Sequence, residues 1–125
     1  MAIKKVHSVY TVVRNMDALE AFYTQLLGVA PRFRDGDRWT QFSLDNTQFA
    51  LSSTEEAAAG ATGCVVVFQA ETTAGVPEAV RQAGGTFVSE RDMGPHGVVQ
   101  TFSDPEGRPF QVFAKPSSSH QPVGN

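Results

Sequence analysis

His7, His96 and His120 are the histidines of this 125-residue chain, and Cys64 is its single cysteine. Imidazole and thiolate are the commonest ligands of borderline metals and the usual bases and nucleophiles near neutral pH. Three widely spaced histidines leave little material for a His-rich metal site. One cysteine excludes an intramolecular disulfide and any multi-cysteine zinc or iron–sulfur site. Cys64 opens an apolar run with nothing basic beside it to stabilise a thiolate, so it reads as an inert thiol. Among the carboxylates, Glu55 and Glu56 fall in a small-residue connector, Glu90 and Asp92 flank a loop, and Asp104 and Glu106 lie in a turn. These read as solvated charges, with Asp104 accepting from the backbone amides of its own turn. No nucleophile–base pair stands out, and no catalytic residue is assigned.

The remaining bulk properties narrow the class. Ten basic against thirteen acidic residues give a net charge of −3, which argues against a nucleic-acid platform, since phosphate binding needs clustered positive charge. No stretch approaches the ~20 consecutive apolar residues that span a bilayer, and the two N-terminal lysines precede no apolar run that would make a signal peptide. A soluble, cytoplasmic protein is expected. With 41% hydrophobic residues the chain has enough material for a core without staples.

The elements that must position any site follow from periodicity. Ile3 to Val13 reads as a strand, and Asn15 as the N-cap of a helix whose apolar residues Met16, Leu19, Phe22, Tyr23, Leu26 and Leu27 recur at helical spacing up to Gly28. Short strands are predicted at 32–34, 39–44 and 48–52, separated by the turn residues Asp35-Gly36-Asp37 and Asp45-Asn46. After a connector at 54–62 the order restarts. The spacing predicts a strand over 64–70, a helix carrying Val76, Ala79, Val80 and Ala83, and strands at 86–90, 97–103 and 109–114. The polar, Pro/Ser-rich tail from 115 to 125 reads as disordered.

The two halves superpose. An offset of 57 carries Leu19 onto Val76, Phe22 onto Ala79 and Gly28 onto Gly85; in the last hairpin an offset of 61 carries Asn46 onto Gly107 and Phe49 onto Phe110. The organisation is a first module at 1–53, the connector at 54–62, a second module at 63–114 and the tail. Each unit is too short to bury a sheet face alone.

Three motifs carry a family resemblance: Val6-His7-Ser8-Val9-Tyr10-Thr11-Val12-Val13, Leu19-Glu20-Ala21-Phe22-Tyr23-Thr24-Gln25-Leu26-Leu27-Gly28, and Thr101-Phe102-Ser103-Asp104-Pro105-Glu106-Gly107-Arg108-Pro109-Phe110-Gln111-Val112. Together they resemble the glyoxalase/bleomycin-resistance/dioxygenase (vicinal oxygen chelate) superfamily over roughly residues 3–114. The resemblance implies an α+β fold of two βαβββ modules forming a cup-shaped mixed sheet with helices outside. It also implies, for the enzymes of the family, a divalent metal held by the first and last strand of each half and acting as a Lewis acid.

Carried onto this sequence, the four ligand positions read Ser8, Ala50, Val65 and Gln111. Methyl and isopropyl groups bind no cation, and a lone hydroxyl and carboxamide make a poor set. His7 is one position from the family register, which in a strand is the opposite face. His96, on a loop that folds over the cup in the family, is a rim contact or simply exposed. The expectation is therefore no metal and no cofactor. The chain most resembles the metal-free, bleomycin-resistance-type members, which bind a drug or toxin and sequester it. Ligand contacts are expected from Ser8, Tyr10, Trp39, Gln41, Val65, Thr101, Gln111 and Phe113, with Trp39 either a wall of the pocket or part of the core or a dimer interface. A homodimer binding a small molecule is expected. The alternative is a glyoxalase-like lyase or isomerase, or a dioxygenase, with an atypical site; a third reading is a dimer whose cup holds nothing specific.

Overall fold

Asn15 starts the first helix as its residue type requires. Its Oδ1 accepts the Ala18 amide at 3.0 Å, and Gly28 ends the helix in the left-handed region at φ 73°. In the computed structural model, which describes residues 6–59, 61, 63 and 65–116, this helix, α1 (Met16–Leu27), follows β1 (Val9–Val12) and precedes β2 (Phe33–Asp35), β3 (Trp39–Leu44) and β4 (Thr47–Ser52). The second set is β5 (Val66–Gln69), α2 (Val76–Ala83), β6 (Thr86–Asp92), a single 3₁₀ turn at Gly94–His96, β7 (Val98–Ser103) and β8 (Pro109–Ala114). The chain forms two compact units that divide between residues 64 and 65. Each holds one four-stranded mixed sheet, in the orders β1-β4-β3-β2 and β5-β8-β7-β6. The fold is α+β, two βαβββ modules, as expected.

The repeat extends to the register of the ladders. Val9 lies opposite Phe49 in the parallel pair β1/β4, and Val66 opposite Phe110 in β5/β8, so the offsets of 57 and 61 hold at the level of individual partners. Phe42 faces Phe49, and Phe102 faces Phe110. Both pairs are stacked, at centroid distances of 6.2 and 5.5 Å, and all four rings are buried. These rings sit on the helix side of each sheet. In the first module Tyr23 of α1 meets Phe49 edge-on at 5.1 Å and Phe22 at 4.8 Å. Burying such a ring contributes roughly 1.5–3 kcal/mol.

Arg34 ties β2 to α1. Its guanidinium reaches Glu20 at 2.7 Å, Asp17 at 2.8 Å and Asp37 at 2.9 Å, and its Nε donates to the Gly36 carbonyl at 2.6 Å. The hydrogen bond that Arg34 donates to Asp17, reinforced by the one to Glu20, holds the Arg34 pKa above its ordinary value. At the hairpin between β3 and β4, Leu44 pairs with Thr47 and leaves a two-residue turn, whose first residue, Asp45, adopts φ 52° as the favoured hairpin turns demand.

Two strands are shorter than expected. β1 begins at Val9, with Val6 to Ser8 irregular; residues 1–5 lie outside the described set. β5 begins at Val66, so Val65 stands before the strand and is exposed, while Cys64 lies outside the described residues. In both, the parallel ladder to the partner strand begins only at Phe49 and Phe110, although β4 and β8 themselves start at Thr47 and Pro109; Val65 would fall opposite Pro109, which has no N–H to donate. The helical stripe of α2 is also thinner than its apolar spacing suggests. Val80 is its buried residue, and Ala79 is exposed. The expected disordered tail falls, from Ser117 on, outside the described residues.

Candidate functional site

In each module the helix covers one sheet face, and strand alternation sends every second side chain to the other. In the first module that other face carries Tyr10 of β1, Ala50 and Gln48 of β4, and Trp39, Gln41 and Ser43 of β3, because Tyr10, Ala50 and Gln41 are directly opposite one another across three strands. Tyr10 and Trp39 meet edge to face with centroids 5.3 Å apart. The indole Nε1–H donates to Gln41 Oε1 at 3.0 Å, Gln41 Nε2 donates to Gln48 Oε1 at 3.0 Å, and Gln48 Nε2 donates to Ser43 Oγ at 3.1 Å. All of these side chains except Ala50 are half-buried. The Tyr10 hydroxyl accepts the backbone N–H of Ala58 at 3.0 Å, which anchors the start of the connector beside this face. Ser53 holds the same turn by accepting the Glu56 amide at 3.1 Å.

The second module presents Gln111 and Phe113 of β8, Thr101 and Val99 of β7, and Val67 of β5 on its helix-free face. Gln111 Nε2 donates to Thr101 Oγ1 at 3.0 Å across the β7/β8 ladder. Val67 is 53% exposed and Val65, just before the strand, 48%. The Phe113 ring lies over Gly97. A Cβ at position 97 would fall 2.5 Å from the Ala114 carbonyl and 2.8 Å from that ring, and the residue holds φ 103°. Only glycine satisfies both demands.

The predicted contact residues thus divide between the modules. Tyr10, Trp39 and Gln41 share one surface, with Ser8 half-buried just before β1 on the Tyr10 side of the strand alternation. Thr101, Gln111 and Phe113 share the corresponding surface of the second sheet; Val65 precedes its strand. Trp39 is half-buried, in contact with Tyr10 and Gln41. Gln48 and Ser43 are members of the polar row that sequence reading did not single out. Their signal was there: the Asp45-Asn46 turn pairs Ser43 with Gln48, and both share parity with Gln41.

Asp104, Glu90 and Asp92 are engaged in turns and ladders. Asp104 Oδ1 accepts the Glu106 and Arg108 amides at 2.9 and 3.0 Å, the turn role expected of it. Glu90 accepts from Gln100 at 2.8 Å, and Asp92 from the Gly94 amide at 2.8 Å. His7 precedes β1 and is exposed, as is His96 on the 3₁₀ turn. A depression lined by Pro77, Glu78, Arg81 and Phe87 lies on the helix side of the second sheet, rimmed by the exposed Arg81–Glu78 ion pair.

A family model described as a glyoxalase-like domain matches residues 8–113. The chain belongs to that family. Among solved structures, glyoxalase-like folds align over nearly the whole chain. A glyoxalase-related enzyme from Fulvimarina pelagi is 17% identical with a TM-score of 0.75, over 91% of this chain and 90% of that one. A fosfomycin resistance protein from Listeria monocytogenes, solved with Mn(II) and a dihydroxypropylphosphonic acid, is 16% identical with a TM-score of 0.71, covering 91% and 92%. A lactoylglutathione lyase from Agrobacterium tumefaciens is 18% identical with a TM-score of 0.70, covering 91% and 96%. No match is found among curated proteins. At these identities the likeness establishes the fold.

The four positions that the resemblance assigns to the family's metal ligands hold Ser8, Ala50, Val65 and Gln111 in this chain. Ala50 is a fully buried methyl group and Val65 an exposed isopropyl group. Gln111 already donates to Thr101, and Ser8 offers one hydroxyl. Among the described residues no three His, Cys, Asp or Glu side chains converge on a common point that suits a cation. These residues do not fit the metal of the family's enzymes. No helix in the described residues is long and apolar enough to cross a membrane.

Proposed function

We propose that this glyoxalase-family protein is a metal-independent binder of a small molecule, a drug, toxin or metabolite, that acts by sequestration. One observation carries the reading. On the helix-free face of the first sheet Trp39 touches both Tyr10 and Gln41, while the family ligand positions hold Ser8, Ala50, Val65 and Gln111. Aromatic walls with a few polar anchors are what retention of a flat ligand needs, and neither a Lewis acid nor a positioned base is required for it. Thr101, Gln111 and Phe113 form the equivalent helix-free surface of the second sheet, considered by itself.

The proposal extends to the assembly. A homodimer agrees with the exposed Val67 of the edge strand β5 and Val65 just before it, apolar groups that a partner would cover. Light scattering at micromolar concentration should return twice the chain mass; a monomer contradicts this part.

Titration of Trp39 fluorescence with a panel of planar drugs and electrophilic metabolites tests the binding itself. Saturable quenching by a subset is expected. Elemental analysis of protein purified without chelator is expected to find no stoichiometric Ni, Zn, Mn or Fe. Stoichiometric metal lost on His7→Ala would overturn the reading in favour of a lyase or dioxygenase with a shifted ligand.

A further inference from the structure

The polar row on the first sheet has a direction, and the indole sets it. An indole N–H can only donate, so the Gln41 carboxamide must turn its oxygen toward Trp39 and its nitrogen toward Gln48. Gln48 then accepts with Oε1 and passes the donor role to Ser43. An amide whose two ends are otherwise interchangeable is therefore fixed by its neighbour. Each oxygen in the row already accepts one hydrogen bond. The leftover protons are one N–H on Gln41, one on Gln48 and the Ser43 hydroxyl, each without an acceptor among the described residues. Hydrogen bonds running in one direction polarise one another, which makes the terminal hydroxyl a better donor.

The charge content of this face is as informative as its polarity. Tyr10, Trp39, Gln41, Gln48 and Ser43 are neutral, and the charged neighbours Asp35 and Arg38 pair with each other at 3.2 Å at the edge. Arg34 of β2 is held on the helix side by Asp17 and Glu20. The row itself therefore offers a ligand no charged partner of its own.

We infer that Trp39, through its N–H, makes the Gln41–Gln48–Ser43 row a donor surface that selects uncharged, planar ligands presenting a carbonyl-type acceptor beside their ring. The inference rests on the binding reading above and deepens it. Trp39 has two separable parts in it: the ring supplies the flat wall, and the N–H fixes which end of each amide meets the ligand. Trp39→Phe keeps the first and deletes the second. Without the indole donor, Gln41 can present either end, and the discrimination in favour of acceptors collapses.

Fluorenone, fluorene and a fluorenone carboxylate make a matched probe set: one flat frame with a carbonyl, without it, and with a negative charge added. Calorimetric titration of the full chain is expected to rank fluorenone roughly tenfold tighter than fluorene, the effect of one or two net hydrogen bonds, with the carboxylate no tighter than fluorenone. In Trp39→Phe the preference for fluorenone over fluorene, read as the ratio of the two affinities within that variant, should fall below about threefold. Ser43→Ala should reduce the preference in the same direction without touching the aromatic wall. Far-UV circular dichroism checks that both variants keep the fold. Equal binding of fluorenone and fluorene by the unaltered chain, an undiminished preference in both variants, or a carboxylate that binds best overturns this inference and leaves the binding reading standing. Absence of binding for all three probes overturns both.

Discussion

The two modules repeat one another in topology, in ladder register and in a stacked phenylalanine pair, but differ in what surrounds that shared frame. α1 has twelve residues, a side-chain N-cap and four buried residues, whereas α2 has eight residues, a glycine N-cap without a side-chain bond and Val80 as its buried residue. The edge strand β2 of the first module is clamped to α1 through Arg34; its counterpart β6 is exposed at all seven positions. Arg34 lies opposite Thr40, and at the matching place Glu90 lies opposite Gln100. Thr40 and Gln100 are both buried beneath the helix side with an oxygen lacking a partner among the described residues. The helix-free faces diverge furthest: a row of aromatic and amide groups in the first module, a single Gln111–Thr101 bond amid valines and Phe113 in the second. The duplicated part is the apolar pairing that makes each sheet, and the free faces carry what distinguishes the modules.

This contrast can be broken in order of effect. If the stacked pairs are equivalent scaffolds, Phe42→Ala and Phe102→Ala should each cost about 3–5 kcal/mol, the range for emptying a buried ring site. Urea unfolding checks this, with Trp39 fluorescence reporting the first module and far-UV circular dichroism the whole chain; a loss confined to one member would show that only one module depends on its pair. Gly97→Ala should cost about 2 kcal/mol, since the added methyl meets the Ala114 carbonyl and the Phe113 ring. The same assay should show Gly97→Ser to be at least as damaging.

Arg34→Met tests the clamp that only the first module has. A loss of about 1 kcal/mol is expected, kept modest because two of the three carboxylates are well exposed, and it should shrink in high salt. Because the folded-state pKa of Arg34 is raised, its contribution is fully present below the ordinary arginine value and lost only as pH climbs through the higher folded value. The difference between Arg34→Met and the unaltered chain should therefore show no dependence on arginine titration across the neutral range, which thermal melts at several pH values can check. The smallest effect is a gain. Asp45→Gly should stabilise the β3/β4 hairpin by about 0.5 kcal/mol, because glycine takes the positive φ without strain.

Most of the frame was legible because it is written in spacing. Asn15 and Gly28 bracket α1, and the offsets of 57 and 61 are visible in Phe49 and Phe110 before any ladder is seen. Strand ends were less so. Val65 sits in an unbroken β-branched run, and nothing in that run itself says that its place opposite β8 is taken by Pro109, which cannot donate to a ladder. At the site, parity alone brings Tyr10, Trp39 and Gln41 together. The direction of the amide row needed coordinates, because Gln48 and Gln41 sit on different strands and their bond depends on the register of the hairpin. The contact of Phe113 with Gly97 likewise joins residues far apart in sequence through the pairing of β7 with β8.

The central claim is binding without a metal. It is tested most directly by the affinity for fluorenone, measured by calorimetry on protein dialysed against EDTA and again after addition of Mn(II). The account predicts the same dissociation constant in both conditions, within the spread of replicate titrations. Binding that appears only once Mn(II) is restored would contradict it.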